Sequence, residues 1–144
     1  MYKHHRKIIV LIFFISTLIS YYLKLDYSKI VSQSITILSF FLVILTTSIT
    51  NLISSNSLVD KLKKSSDKQI VSKSELGVYI TYIKTAFYFE IANIVLNCLF
   101  IILKNTIQIC IIKILSILGF SILSINFYII FLIFKFLIER QLYN

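Results

Sequence analysis

The chain has 144 residues, a mean hydropathy of +0.88, 58% hydrophobic and 15% charged residues, and a formal net charge of +9. That length allows one domain, and the charged fraction falls well below the roughly 25% of soluble domains, while the lack of proline and the two glycines speak against disorder and against a Gly/Pro-rich all-β fold. The basic excess flanks apolar runs instead of forming one patch, so the expected partner is a bilayer, with its anionic lipid heads, and not nucleic acid.

Four runs are apolar enough to cross the roughly 30 Å of bilayer hydrocarbon. Helices are expected at about 8–25, 30–53, 73–104 and 107–140. Their apolar residues are consecutive, as in Ile8-Ile9-Val10-Leu11-Ile12-Phe13-Phe14, and do not alternate as β-barrel strands would. The expected fold is therefore all-α, with four transmembrane helices in two antiparallel hairpins. The first run follows a basic start, lacks a small-x-small cleavage site and ends in Tyr21-Tyr22-Leu23-Lys24, which reads as a retained signal anchor. It holds one small-xxx-small step, Ser16 and Ser20.

The second run is rich in hydroxyls: Ser32, Ser34, Thr36, Ser39, Thr46, Thr47, Ser48 and Thr50. With glycine and alanine scarce, these are expected to provide the close helix contacts. Tyr21, Tyr22 and Tyr27 suit the outer interface of a membrane, Tyr79 and Tyr82 the inner one. Residues 54–72 form a polar loop carrying Lys61, Lys63, Lys64 and Lys68, either solvated or with a short, largely polar helix over Leu58–Lys64 lying on the inner leaflet.

Ser72-Lys73-Ser74-Glu75 fits a capping box at the start of the third helix. Folding the last two helices about Asn105 brings Glu75 near Lys135 and Lys73 near Glu139, pairs that would set register in an antiparallel stem. Both helices are longer than a bilayer requires, so this second hairpin should project into the cytoplasm. Lys3, Arg6, Lys7, Lys61, Lys63, Lys64, Lys68, Lys73, Lys84, Lys135 and Arg140 fall on one side, against Lys24, Lys29, Lys104 and Lys113 on the other. The positive-inside rule places the first side, with both termini, in the cytoplasm.

Ionisable and amide side chains at membrane depth are costly and usually face the protein interior. Ala86, Glu90, Asn93 and Asn97 share one face of the third helix, at the four-three-four spacing of a packing seam. Lys113, Ser116, Gly119 and Asn126 make a comparable stripe on the fourth, and folding about Asn105 sets Glu90 level with Phe120. The stripe reads either as an ion or small-ligand path or as hydrogen-bonded glue between helices, where burial disfavours the charged carboxylate. Channels and transporters usually show a filter, a broken helix or a Gly/Pro-interrupted repeat, and this sequence has none, which favours glue.

Cys98 and Cys110 lie in apolar runs and read as small buried hydrophobes. His4 and His5 read as a solvated or lipid-facing tail, with no metal or other cofactor expected. There is no Gly-rich phosphate loop, HExxH or nucleophile elbow, so no enzyme is expected. The expected function is that of a small accessory protein acting by self-association or by binding a membrane or cytoplasmic partner. Bacteriocin immunity and anti-phage defence would fit its size and charge. The alternative is an oligomeric ion channel, a holin-like pore or a small transporter subunit.

Overall fold

The computed structural model describes residues 2–54, 56–66, 74–103 and 109–142. The elements are helices α1 (Lys3–Tyr22), α2 (Val31–Ser54), α3 (Asn56–Lys64), α4 (Glu75–Leu103) and α5 (Ile109–Leu142), with one 3-10 turn at Tyr27–Lys29. Four stretches, Lys3–Tyr22, Val31–Thr50, Glu75–Leu103 and Ile109–Glu139, are long and apolar enough to cross a membrane. The all-α, four-span expectation holds. At 1.5 Å per residue α1 is about 30 Å long, whereas α4 and α5 reach about 44 and 51 Å, so the second pair is longer than the apolar core requires.

The spans pack as helix pairs. α5 takes α1 on one side and α4 on the other, and α2 packs on α4. The first two helices are thus neighbours in the chain, but each leans on a member of the second pair. Half of the spanning window of α5 is buried inside the protein, against 11% of that of α1. The remaining large apolar side chains, such as Val10, Leu11, Phe14, Phe40, Val43, Phe127 and Phe131, face outward. In a bilayer that outer surface meets lipid at no hydrophobic cost.

The register of α4 and α5 differs from a fold about Asn105. The Tyr79 ring stacks on Phe136 at 5.1 Å between centroids, and Asn126 Nδ2 donates to the Phe89 carbonyl at 3.4 Å. Both pairs are symmetric about a point between residues 107 and 108. Glu90 is therefore level with Ile125, not Phe120, and Glu75 is level with position 140, not Lys135. The tight turn of this hairpin expected from the sequence is at Asn105-Thr106. That expected turn lies outside the described residues.

Helix α1 starts at Lys3, ahead of its apolar run, and ends three residues earlier than the hydropathy pattern suggests. A Schellman motif stops it: Leu25 N–H donates to Ser20 O at 3.1 Å and Lys24 N–H to Tyr21 O at 3.3 Å. This puts Lys24 in the left-handed region, with φ 49°. A Cβ there costs roughly 1–2 kcal/mol, so Lys24→Gly should raise stability by about 1 kcal/mol. A higher unfolding midpoint in detergent micelles is the expected result; a lower one would mean that the motif does not form.

The loop between the second and third spans contains a helix, α3, that is not polar all round. Val59 and Leu62 lie three residues apart on one face, with Leu62 buried and Val59 half-buried, while Asp60, Lys63 and Lys64 are exposed. That apolar face seats α3 against α4 and α2. Beyond it, Ser65 O accepts from Glu75 N–H at 3.1 Å and Ser66 pairs with Ser74 across an antiparallel bridge, tying the end of α3 to the start of α4. The N-cap of α4 is Ser74, whose Oγ accepts from the Gly77 N–H at 3.2 Å. Ser72, the capping residue expected from sequence, lies outside the described residues.

Two expectations about small side chains are corrected. Of the α2 hydroxyl side chains, only those of Ser34 and Ser48 are buried. The hydroxyls of Thr36, Ser39, Thr46, Thr47 and Thr50 face outward and bond to the carbonyl four residues back on their own helix, at 2.8–3.1 Å. In hydrocarbon a hydroxyl must find a partner, and its own helix supplies one without a neighbour. Cys98 and Cys110 are also exposed and unbridged, on the outward faces of α4 and α5.

Candidate functional site: a buried polar interlock

The residue that joins the bundle is Tyr27, in the connection between the first two spans. Asp26 Oδ1 accepts from the Ser28 N–H at 3.0 Å and caps the 3-10 turn. The turn directs Tyr27 inward until it is 1% exposed. Its ring meets Phe100 of α4 and Phe120 of α5 edge-on, with centroids at 5.9 and 5.2 Å. Gly119 lets the ring in. A Cβ at that position would come within 2.8–2.9 Å of three contiguous ring atoms.

The phenol head completes a chain of hydrogen bonds across three elements. Asn97 Nδ2 donates to Ser34 Oγ at 3.3 Å, Ser34 and the Tyr27 hydroxyl share a 2.6 Å bond, and Tyr27 donates to Asn93 Oδ1 at 3.2 Å. The donor order follows: an amide cannot accept through nitrogen, so Ser34 accepts from Asn97 and gives its own hydrogen to Tyr27. Each hydroxyl then accepts once and donates once, which polarises and strengthens the chain. A similar relay fixes α1 to α5: Thr17 bonds to Ser121 at 2.9 Å, and Ser121 donates to the Ile117 carbonyl at 2.9 Å.

The α4 stripe expected from sequence is present. Ala86, Glu90, Asn93 and Asn97 are all buried. On α5, Ser116, Gly119 and Asn126 are buried but Lys113 is exposed. Three-residue steps drift by about 60° each at 100° per residue, so Lys113 lies roughly 140° around the helix from Asn126. The stripe also divides in function. Asn93 and Asn97 belong to the Tyr27 chain, whereas Glu90 is 0% exposed and neither carboxyl oxygen has a hydrogen-bond partner. Asn93 Nδ2, Asn97 Oδ1 and Asn126 Oδ1 are likewise buried without partners.

The tyrosines assigned to interfaces separate as well. Tyr21 and Tyr22 are exposed, but Tyr79 and Tyr82 are buried like Tyr27. Tyr79 and Tyr82 lie seven and four residues before Ala86, on the face that carries the stripe. The Tyr82 hydroxyl accepts from the Tyr2 N–H at 3.4 Å and contacts His5 Nδ1, and the His5 ring packs edge-on against Tyr128. His5 is thus docked on the α4–α5 pair, not loose in a tail. Among the described residues, no three His, Cys, Asp or Glu side chains are arranged to hold a metal ion.

Of the charged surface, Lys63 and Lys64 are exposed on α3, Lys61 falls on the same helix, and Lys68 and Lys73 lie outside the described residues. Lys135 pairs with Glu139 along its own helix at 3.8 Å, with both side chains more than half exposed, a contact worth at most about 1 kcal/mol. Glu75 is buried at the mouth of the bundle. No protein-family model, no characterised protein sequence and no solved structure matches the chain.

Proposed function

We propose that this is a non-enzymatic membrane protein that acts by association, with copies of itself or with a membrane or cytoplasmic partner, and that both termini lie in the cytoplasm. The observation that carries the reading is the closed interior. Tyr27, Glu90, Asn93 and Asn97 are all at 0–1% exposure, so one copy offers its polar residues to its own helices and not to a lumen. What remains for a partner is the outer apolar surface and the basic end. The starts of α1 and α4 and the end of α5 meet there through Tyr2–Tyr82, His5–Tyr128 and Tyr79–Phe136. Among the described residues, Lys3, Arg6, Lys7, Lys63, Lys64 and Lys135 belong to that end.

That asymmetry supports a cytoplasmic basic end facing anionic lipid heads. Roles of the immunity or anti-phage defence type require no more than association of this kind. Reporters fused after Asp26 and after Lys64 test the topology. The expected result is an external Asp26 and a cytoplasmic Lys64, and the reverse would overturn it. Chemical cross-linking in native membranes tests association, with a ladder of multiples of 16.8 kDa, or a band shifted by one partner, as the expected product.

A second reading, a subunit of an oligomeric channel or transporter, is favoured by one observation: the unpartnered carboxyl of Glu90. Several copies would then be needed to enclose a path, and the purified protein would conduct in planar bilayers. Silence in that assay, with oligomers intact, decides against it.

A further inference from the structure

Glu90 stands alone in a way the rest of the stripe does not. Across residues 8–23, 31–54, 85–103 and 114–134, which make up the middle of all four spans, it is the one charged side chain. The elements packed around it offer no cation. α2 has no ionisable side chain at all, α5 presents only Tyr128 near that level, and the middle of α1 has none. On α4 itself the nearest base, Lys84, is six residues away and exposed, and Tyr88 is also exposed. The Tyr27 hydroxyl is already engaged by Ser34 and Asn93. An ionised carboxylate buried without a counter-charge costs several kcal/mol, so something other than these side chains must neutralise it.

The unsatisfied atoms around Glu90 say what. Asn93, one turn along the same face, has a free donor in Nδ2. Asn126 is anchored through Nδ2 to the carbonyl of Phe89, adjacent to Glu90, and has a free acceptor in Oδ1. A carboxylate only accepts, and would leave Asn126 Oδ1 unmatched. A metal cation would satisfy the oxygens but would face the amide hydrogens of Asn93. A neutral carboxylic acid offers what both lack, a carbonyl acceptor for Asn93 and an O–H donor for Asn126.

We propose that Glu90 is a proton-binding site in the middle of the bundle, with Asn93 and Asn126 as the groups that hold its neutral form. Taking up or releasing that proton changes the charge of the apolar interior by one, with no basic side chain in the middle of the spans to compensate. The proposal is independent of how the protein associates, because every group in it belongs to one copy.

Infrared spectroscopy of the full chain in lipid vesicles tests it. Near neutral pH the wild type should show a carboxylic-acid carbonyl band that Glu90→Gln loses, and exchange of potassium for sodium should leave the band unchanged. Asn126→Leu should shift the band, since the O–H loses its acceptor. Glutamine is the isostere of the neutral acid, so Glu90→Gln should fold and unfold as the wild type does. Absence of the band near neutral pH, its loss on adding sodium, its indifference to Asn126→Leu, or failure of Glu90→Gln to fold would each overturn the proposal.

Discussion

Gly119→Val should be among the most damaging single substitutions in the chain, lowering stability by about 3 kcal/mol, the upper end of the range for overpacking a filled core. A Cβ at position 119 already falls 2.8–2.9 Å from the Tyr27 ring, and the branched side chain of valine would reach further into it. A ring at the free end of a side chain can usually swing away. This one cannot, because Phe100 and Phe120 flank it and its hydroxyl is held by Ser34 and Asn93. The strain must then move α5 or expel the first connection, breaking the chain of hydrogen bonds behind it. Unfolding in mixed micelles, followed by circular dichroism, would read the loss. Stability within error of the wild type would show that the ring does not lie on Gly119.

Tyr27→Ala should cost about 3–5 kcal/mol, the range measured for removing a buried aromatic ring. The cavity would open between α2, α4 and α5, three elements that share few other polar contacts at that level. Asn93 and Ser34 would each lose a partner in the buried interior. Tyr27→Phe separates the two contributions. It keeps the ring and removes only the hydroxyl, and side-chain hydrogen bonds inside membranes average about 0.6 kcal/mol with a maximum near 1.7, so its cost should be about 1 kcal/mol. If both substitutions prove equally mild, the connection is not a structural wedge.

The parts of this architecture legible in the sequence are those governed by period and length. Glu90, Asn93 and Asn97 could be placed on one buried face because four-three-four steps keep within a narrow arc of a helix. The extra length of α4 and α5 followed from counting residues. The α5 stripe was only half legible: three-residue steps drift, and the drift carried Lys113 outward. Tyr27 was not legible as a core residue. A tyrosine in a short polar connection next to a span has the composition of an interface anchor, and only the 3-10 turn capped by Asp26 turns it inward.

The register of the second hairpin was lost for a related reason. Apolar runs locate the spans but not the point about which they fold, and each residue of difference there shifts every pairing down the stem. Hence the level expected for Glu75 and Lys135 moved, and Lys135 is found with Glu139 of its own helix. The outward hydroxyls of α2 teach the converse lesson. A small polar side chain in a membrane span is a helix contact only if its own backbone does not satisfy it first.

The central claim is that Tyr27, seated on Gly119, locks α2, α4 and α5 together. It is tested most directly by the cycle Gly119→Ala, Tyr27→Ala and the double variant, with unfolding free energies measured in one bilayer mimic. If the two residues touch as described, Gly119→Ala destabilises the wild type but is harmless or stabilising in the Tyr27→Ala background, where its methyl group enters the vacated space. Equal costs for Gly119→Ala in both backgrounds would contradict the interlock.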